Sequence, residues 1–238
     1  MITGNAHNPE PMANQLPFLR KPAQKWMLAL CLLFIAPALF GHTINYDMAR
    51  LSQLGVGWAY LKLGFTHILP YGFDHLLFVL SLFFLNSRLK VIIWQATAFT
   101  VAHSITLGLA MYGFIKPLPA VIEPIIALSI FFVAMENLLV RELKASRLVI
   151  VFLFGLVHGM GFAGALAGLG LPPSGYLVSL LSFNLGVELG QITVILIAWG
   201  AAGYWFAKKP WYRTRVVNPV SMAIAAVALY WTIERTFY

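Results

Sequence analysis

Four of the chain's eight acidic residues, Asp74, Glu123, Glu136 and Glu188, fall inside apolar runs, and so do three of its six histidines, His75, His103 and His158. Histidine with carboxylate, and no cysteine nearby, is a borderline-hard donor set. It suits nickel, cobalt, zinc or manganese(II) better than copper(I). A proton relay needs carboxylates and can use histidine, but three or four imidazoles converging from separate segments exceed its requirements. An ionised carboxylate at the centre of a bilayer costs at least about 2.5–3.5 kcal/mol. No Lys or Arg lies between Val91 and Val140 except Lys116, and none lies between Leu148 and Ala207. Counted along the chain, the carboxylates lack basic partners, so they are expected to be protonated, to face water or to hold a cation.

The densest group is HILPYGFDHLLFVL, residues 67–80. Pro70 and Gly72 break the chain before Asp74 and His75 open the next helix, and the break lets His67 fold back toward them. His103, a little outside the middle of its segment, and Glu123, before Pro124 and a candidate helix N-cap, complete an expected outer-half site. His158, in FGLVHGMGFAGAL, reads as deeper. It adjoins Gly155, Gly159, Ala163 and Ala167, a small-residue stripe that admits a close neighbouring helix. Asn184, Glu188 and Gln191 recur at helical spacing and form one polar face, expected to line a cavity with His158. Ser104, with Thr100 and Thr106, offers hydroxyls around His103 that either orient the ring or bond back to their own helix. Glu136 and Asn137 sit near the opposite end of their segment, where Glu136 reads either as an exit-side ligand or as an acid reaching toward Arg141.

These residues need a scaffold, and the composition says which kind. The chain has 238 residues, 60% of them hydrophobic, with 10% charged and a mean hydropathy of +0.81. Soluble domains carry about 25% charged residues, whereas a bilayer span needs about 20 mainly apolar ones. The expected fold is an all-α membrane protein, a polytopic bundle of six or seven transmembrane helices with a short interfacial amphipathic helix. Residues 1–24, rich in Pro, Asn and Gln, read as a disordered cytoplasmic tail. Residues 25–41 read as a first transmembrane helix or a signal-like segment. Residues 42–238 form the membrane domain, with the interfacial helix at 45–66. Spans follow at about 72–87, 91–113, 120–140, 148–170, 176–206 and 217–235.

The net charge of +8 does not point to nucleic acid, because the basic residues sit in short clusters between apolar runs. With the tail inside, twelve of the sixteen Lys and Arg fall on the inner side and four on the outer, which satisfies the positive-inside rule. That places residues 67–80 at the outer face of the membrane. Cys31 is the only cysteine, so there is no thiolate site or disulfide framework. No phosphate-binding glycine loop is present, which argues against ATP-driven pumping within this chain.

HILPYGFDHLLFVL, AHSITL, the IEPIIALSI…MEN segment, FGLVHGMGFA and FNLGVELGQ, taken in order, resemble the HupE/UreJ family of small membrane permeases. The resemblance runs from about Gly55 to Gln191. It implies six spans after a signal-like start, supply of nickel or cobalt without ATP hydrolysis, and a connection with hydrogenase and urease maturation proteins. It implies functional roles for His67, Asp74, His75, His103, Glu123, His158 and Glu188. The nickel branch has five residues between the first His and the Asp-His pair, whereas six separate His67 from Asp74 here. That sets the chain nearer the family's second branch.

Three functions remain open at this level. The first is a secondary permease that passes a divalent metal from the outer site to a mid-membrane set and out past Glu136. The second is an intramembrane zinc metalloenzyme that holds zinc in the same residues with an open water position. The third is a metal-responsive scaffold. The lipid bilayer and a divalent nickel, cobalt or zinc ion are the expected partners in the first two.

Overall fold

The computed structural model describes residues 52–85, 88–140, 146–167 and 175–238, all within the unit Tyr46–Tyr238. The expected tail, the first apolar segment, residues 45–51 of the interfacial helix, residues 86–87 and 168–170 at two span ends, and Arg141 lie outside the described residues. The described residues form helices without a strand: α1 Gln53–Ile68, α2 Phe73–Leu85, α3 Leu89–Met111, α4 Pro119–Leu139, α5 Ser146–Ala167, α6 Tyr176–Ala198 and α7 Asn218–Phe237. A π-helical turn over Trp199–Gly203 carries α6 on to Phe206, and a second over Arg213–Val217 leads into α7. Among the described residues, five helices are by length and composition able to cross a membrane, and six crossings result if α1 and α2, bent by 66° at their junction, make one. The protein is a multi-pass membrane protein.

Local signals account for the breaks. Pro119 starts α4 in the first-turn position where its missing N–H costs nothing. Ser52 caps α1, its hydroxyl accepting from the Gly55 N–H at 3.2 Å. Leu118, not Glu123, is the N-cap of α4, so the expected capping role of Glu123 is not found. Between α1 and α2 the chain doubles back so tightly that a Cβ at Gly72 would collide with the His67 carbonyl. Only glycine fits that approach.

The helices pair as α3 with α5, α1 with α6, and α4 with α7, and α2 touches all three pairs. Small residues set two of these contacts. Gly155 and Gly159 of α5 lie against the backbone of Phe99 and His103 on α3, leaving no room for a Cβ. Gly64 of α1 and Gly186 of α6 do the same for each other's helices at Phe183 and Leu61. At Gly155 and Gly159 the stripe read from the sequence thus has α3 as its partner.

The helix expected to lie in the interface is docked along α6 through Val56, Tyr60, Gly64 and Ile68. Its apolar stripe still faces outward, with Leu54 85% and Trp58 69% exposed. Helix α2 is buried on nearly every side, from His75 and Leu77 through Phe84, as a helix that is apolar all round must be. Its thirteen residues reach only about 20 Å at 1.5 Å per residue, short of the roughly 30 Å hydrocarbon core.

Candidate metal centre

Four helices deliver one imidazole each to a common space. His67 ends α1, His75 opens α2, His103 is mid-way along α3, and His158 lies on α5. The fold-back at Gly72 brings the His67 and His75 rings to 4.6 Å, centroid to centroid. His75 stands 5.1 Å from His158 and 5.8 Å from His103, and His67 is 6.4 Å from His103. Gly159 brings His158's helix against the His103 backbone.

Ring nitrogens of His67, His75 and His103 all lie within 4.8 Å of one another. A tetrahedral ion with bonds of about 2.1 Å needs its donors roughly 3.4 Å apart, so small side-chain rotations close this group on a metal. His67 Nε2, His75 Nε2, His103 Nε2 and His158 Nδ1 are buried without a hydrogen-bond partner. Buried polar atoms are normally satisfied, so four orphaned nitrogens in one cluster are a reason to look for a ligand.

Phenylalanines wall the cluster. Phe162 lies 3.9 Å from His67 and 4.9 Å from Phe183. Phe99 and Phe78 lie 5.0 Å and 5.3 Å from His158. These walls are apolar, so the local dielectric is low, which strengthens any charge–donor interaction formed between them.

Behind the donors stand polar partners on helices that carry no histidine of the cluster. His103 Nδ1 meets Asn184 Oδ1 at 3.0 Å. His158 Nε2 meets Ser129 Oγ at 2.9 Å. Farther along the α3–α6 contact, Thr97 donates to Glu188 Oε1 at 2.6 Å and Thr100 donates to Gln191 Oε1 at 2.9 Å. Tyr176 donates to the Met111 carbonyl at 2.8 Å and holds the other end of that contact.

The remaining candidates are distributed differently from the sequence expectation. His158 is not part of a deeper, separate set, because it shares the space of His75. Asn184, Glu188 and Gln191 do form one polar face, but they meet His103, Thr97 and Thr100 of α3 rather than His158. Asp74 is turned from the imidazoles to a basic partner: Arg235, near the end of α7, binds both its oxygens at 3.0 and 3.2 Å. Glu136 pairs with Arg147 at 2.9 Å; Arg141, its expected neighbour, lies outside the described residues. The expectation that these two carboxylates lack basic partners is therefore corrected. Both arginines sit outside the intervals free of Lys and Arg and reach in from helix termini. Glu123 is exposed, and only its backbone oxygen is engaged, by Arg235 at 3.4 Å. Ser104 bonds back to the Thr100 carbonyl at 2.7 Å, so its hydroxyl is spent on its own helix. Thr106, expected to back-bond, also reaches across to the Leu156 carbonyl at 2.7 Å. Asn137 donates to the Ser81 carbonyl and to Ser221.

Residue types alone undervalued Ser129, Arg147 and Arg235. A lone serine in an apolar span carries no signal beyond its helical register, and an arginine at a span end resembles any loop charge.

A family model described as HupE / UreJ protein matches residues 45–235. No curated protein and no solved structure matches the chain.

Proposed function

The chain belongs to the HupE/UreJ family, and from that premise we propose that it is a secondary permease for a divalent first-row transition metal, with nickel or cobalt as cargo. One observation carries the proposal: ring nitrogens of His67, His75 and His103, from three helices, lie within 4.8 Å of one another with the His158 ring beside them, and each of the four rings has a buried nitrogen without a partner. Neutral imidazole is a good donor for nickel, cobalt and zinc. Nitrogen donors without thiolate hold such ions loosely enough for release, which transport requires. The metal approaches from the Asp74 end, the outer face of a bacterial plasma membrane in this reading. It is bound by His67, His75 and His103, with His158 beside them, and leaves along the face of Glu188 and Gln191. Delivery to metalloenzyme maturation proteins is the role that fits such a cargo.

The test uses the full chain, purified in detergent without metal. Calorimetry with Co²⁺ is expected to show one site, weakened at least about 10-fold by His103→Ala, since loss of a single outer-shell partner already costs that much. Proteoliposomes loaded with a metal-sensing dye are expected to take up Co²⁺ or Ni²⁺, and His75→Ala to abolish the uptake. Wild-type protein that neither binds nor moves these ions defeats the reading. One tightly held, non-exchanging zinc without flux decides for the intramembrane zinc hydrolase instead.

A further inference from the structure

We propose that Asn184 and Ser129 are positioning residues that lock His103 and His158 in opposite tautomers, so that each ring turns a bare lone pair toward the cluster. The inference rests on the histidine cluster being the cargo site.

The orientation of Asn184 is fixed by its own helix. Its Nδ2 donates to the Leu180 carbonyl at 2.8 Å, which leaves Oδ1 facing His103 Nδ1 at 3.0 Å. An amide oxygen only accepts, so Nδ1 carries the proton. His103 Nε2, buried and unpartnered, is left as the lone pair.

Ser129 works through a different atom and gives the reverse result. Its oxygen lies 2.7 Å from the Ile126 carbonyl. Two oxygens that close repel unless a proton lies between them, so the single hydroxyl proton is committed there. Toward His158 Nε2, at 2.9 Å, the hydroxyl can only accept. Nε2 therefore carries the proton and Nδ1, also buried and unpartnered, is the bare nitrogen.

The division of labour follows the helices. Helices α1, α2, α3 and α5 supply imidazoles, while α4 and α6 supply no donor of the cluster and provide Ser129 and Asn184. If either partner were replaced by an apolar residue, its ring would be free to turn an N–H to the metal position, where it blocks binding. Outer partners of metal-ligating histidines are worth about 10- to 100-fold in metal affinity.

The first measurement needs no metal. In ¹⁵N-histidine-labelled full-length protein, two-bond ¹⁵N–¹H spectra are expected to show His103 protonated at Nδ1 and His158 at Nε2, each assigned by its loss in the corresponding Gln variant. The same tautomer at both positions overturns the inference. The second measurement is Co²⁺ affinity together with the visible absorption of the bound ion. Asn184→Leu and Ser129→Ala are expected to lose about 10- to 100-fold and to change the spectrum. Ser129→Thr, which keeps an accepting oxygen, is expected to stay close to wild type, and Asn184→Asp to keep the His103 tautomer and bind Co²⁺ at least as tightly as wild type, its oxygen still accepting from Nδ1. Apolar variants that bind Co²⁺ with wild-type affinity and spectrum also overturn it. If an apolar variant fails to fold, the wild-type spectrum still decides. Opposite tautomers in a protein that binds no Co²⁺ would sink the permease reading and leave the positioning geometry standing.

Discussion

Two arginines meet two carboxylates in this bundle, one pair toward each end, and the two are built differently. Arg147 is 1% exposed and Glu136 15%, at 2.9 Å. Arg147 also donates to Gln95 at 3.2 Å and reaches the Ser81 carbonyl at 3.5 Å. Asn137 shares that carbonyl at 2.9 Å and adds Ser221 at 3.3 Å, while Arg213 closes the end of α4 on the Asn137 and Val140 carbonyls. Five helices, α2 to α5 and α7, meet in that network. Arg235 and Asp74, in contrast, are 21% and 26% exposed. Their further support is the Trp231 ring, 5.3 Å from the guanidinium, and the Glu123 carbonyl. Opening the first pair strands a buried charge, whereas opening the second returns two half-hydrated groups to water. The bundle is fastened at the Arg147 end and only latched at the Asp74 end, where the histidines begin.

Removing one partner of the fastened pair should have the largest effect. Arg147→Met leaves Glu136 without its counter-ion and frees the Gln95 oxygen. Breaking a buried pair this way costs about 3–5 kcal/mol, which lowers Tm by roughly 6–20 °C at this size, read by thermal unfolding in detergent. Adding Glu136→Met should restore most of the loss, because an apolar replacement of both partners is often neutral. If the double variant is no better than the single, the pair is not what fastens that end.

Asn137→Leu comes next. It removes donors to the Ser81 carbonyl and to Ser221 while leaving the ion pair in place, for about 1–3 kcal/mol. A loss as large as that of Arg147→Met would mean that the amide, not the charge, holds the network together.

The comparison also shows what sequence can and cannot carry. The all-helical membrane fold, the break at Pro70 and Gly72, and the close-packing face of Gly155 and Gly159 were legible, because each is a local property of composition or spacing. Partners across helices were not. Helical spacing put Asn184, Glu188 and Gln191 on one face, but periodicity does not name the facing helix, which is α3. Depth failed for a related reason. Counting His158 from an assumed straight span ending at 170 put it below His103. In the structure the His158 ring stands 5.1 Å from that of His75, at the start of α2, and His75 in turn 5.8 Å from His103, so the three share one level. The short, buried α2 and its bend defeat the same counting. Arg147 and Arg235 stand at the two ends of their helices, in a first and a last turn, and charge counting says only which side of the membrane such a residue is on, not that it faces inward.

The smallest effect on stability should come with the clearest effect on the site. Arg235→Gln removes a part-exposed pair worth about 0–1 kcal/mol, so Tm should barely move. Asp74, next to His75, is then left as a free carboxylate at the mouth of the histidine cluster. A unit charge about 8 Å from a divalent ion contributes on the order of 4 kcal/mol at an effective dielectric of 20, and solvent screening of a part-exposed carboxylate reduces that, so Co²⁺ binding should tighten by at least about ten-fold. The gain should shrink as ionic strength rises, because a part-exposed carboxylate is screened and a buried one is not. Asp74→Asn in the same background should abolish it. A large stability loss with Arg235→Gln, or unchanged Co²⁺ affinity, would make the two ends equivalent and remove the distinction between fastening and latch.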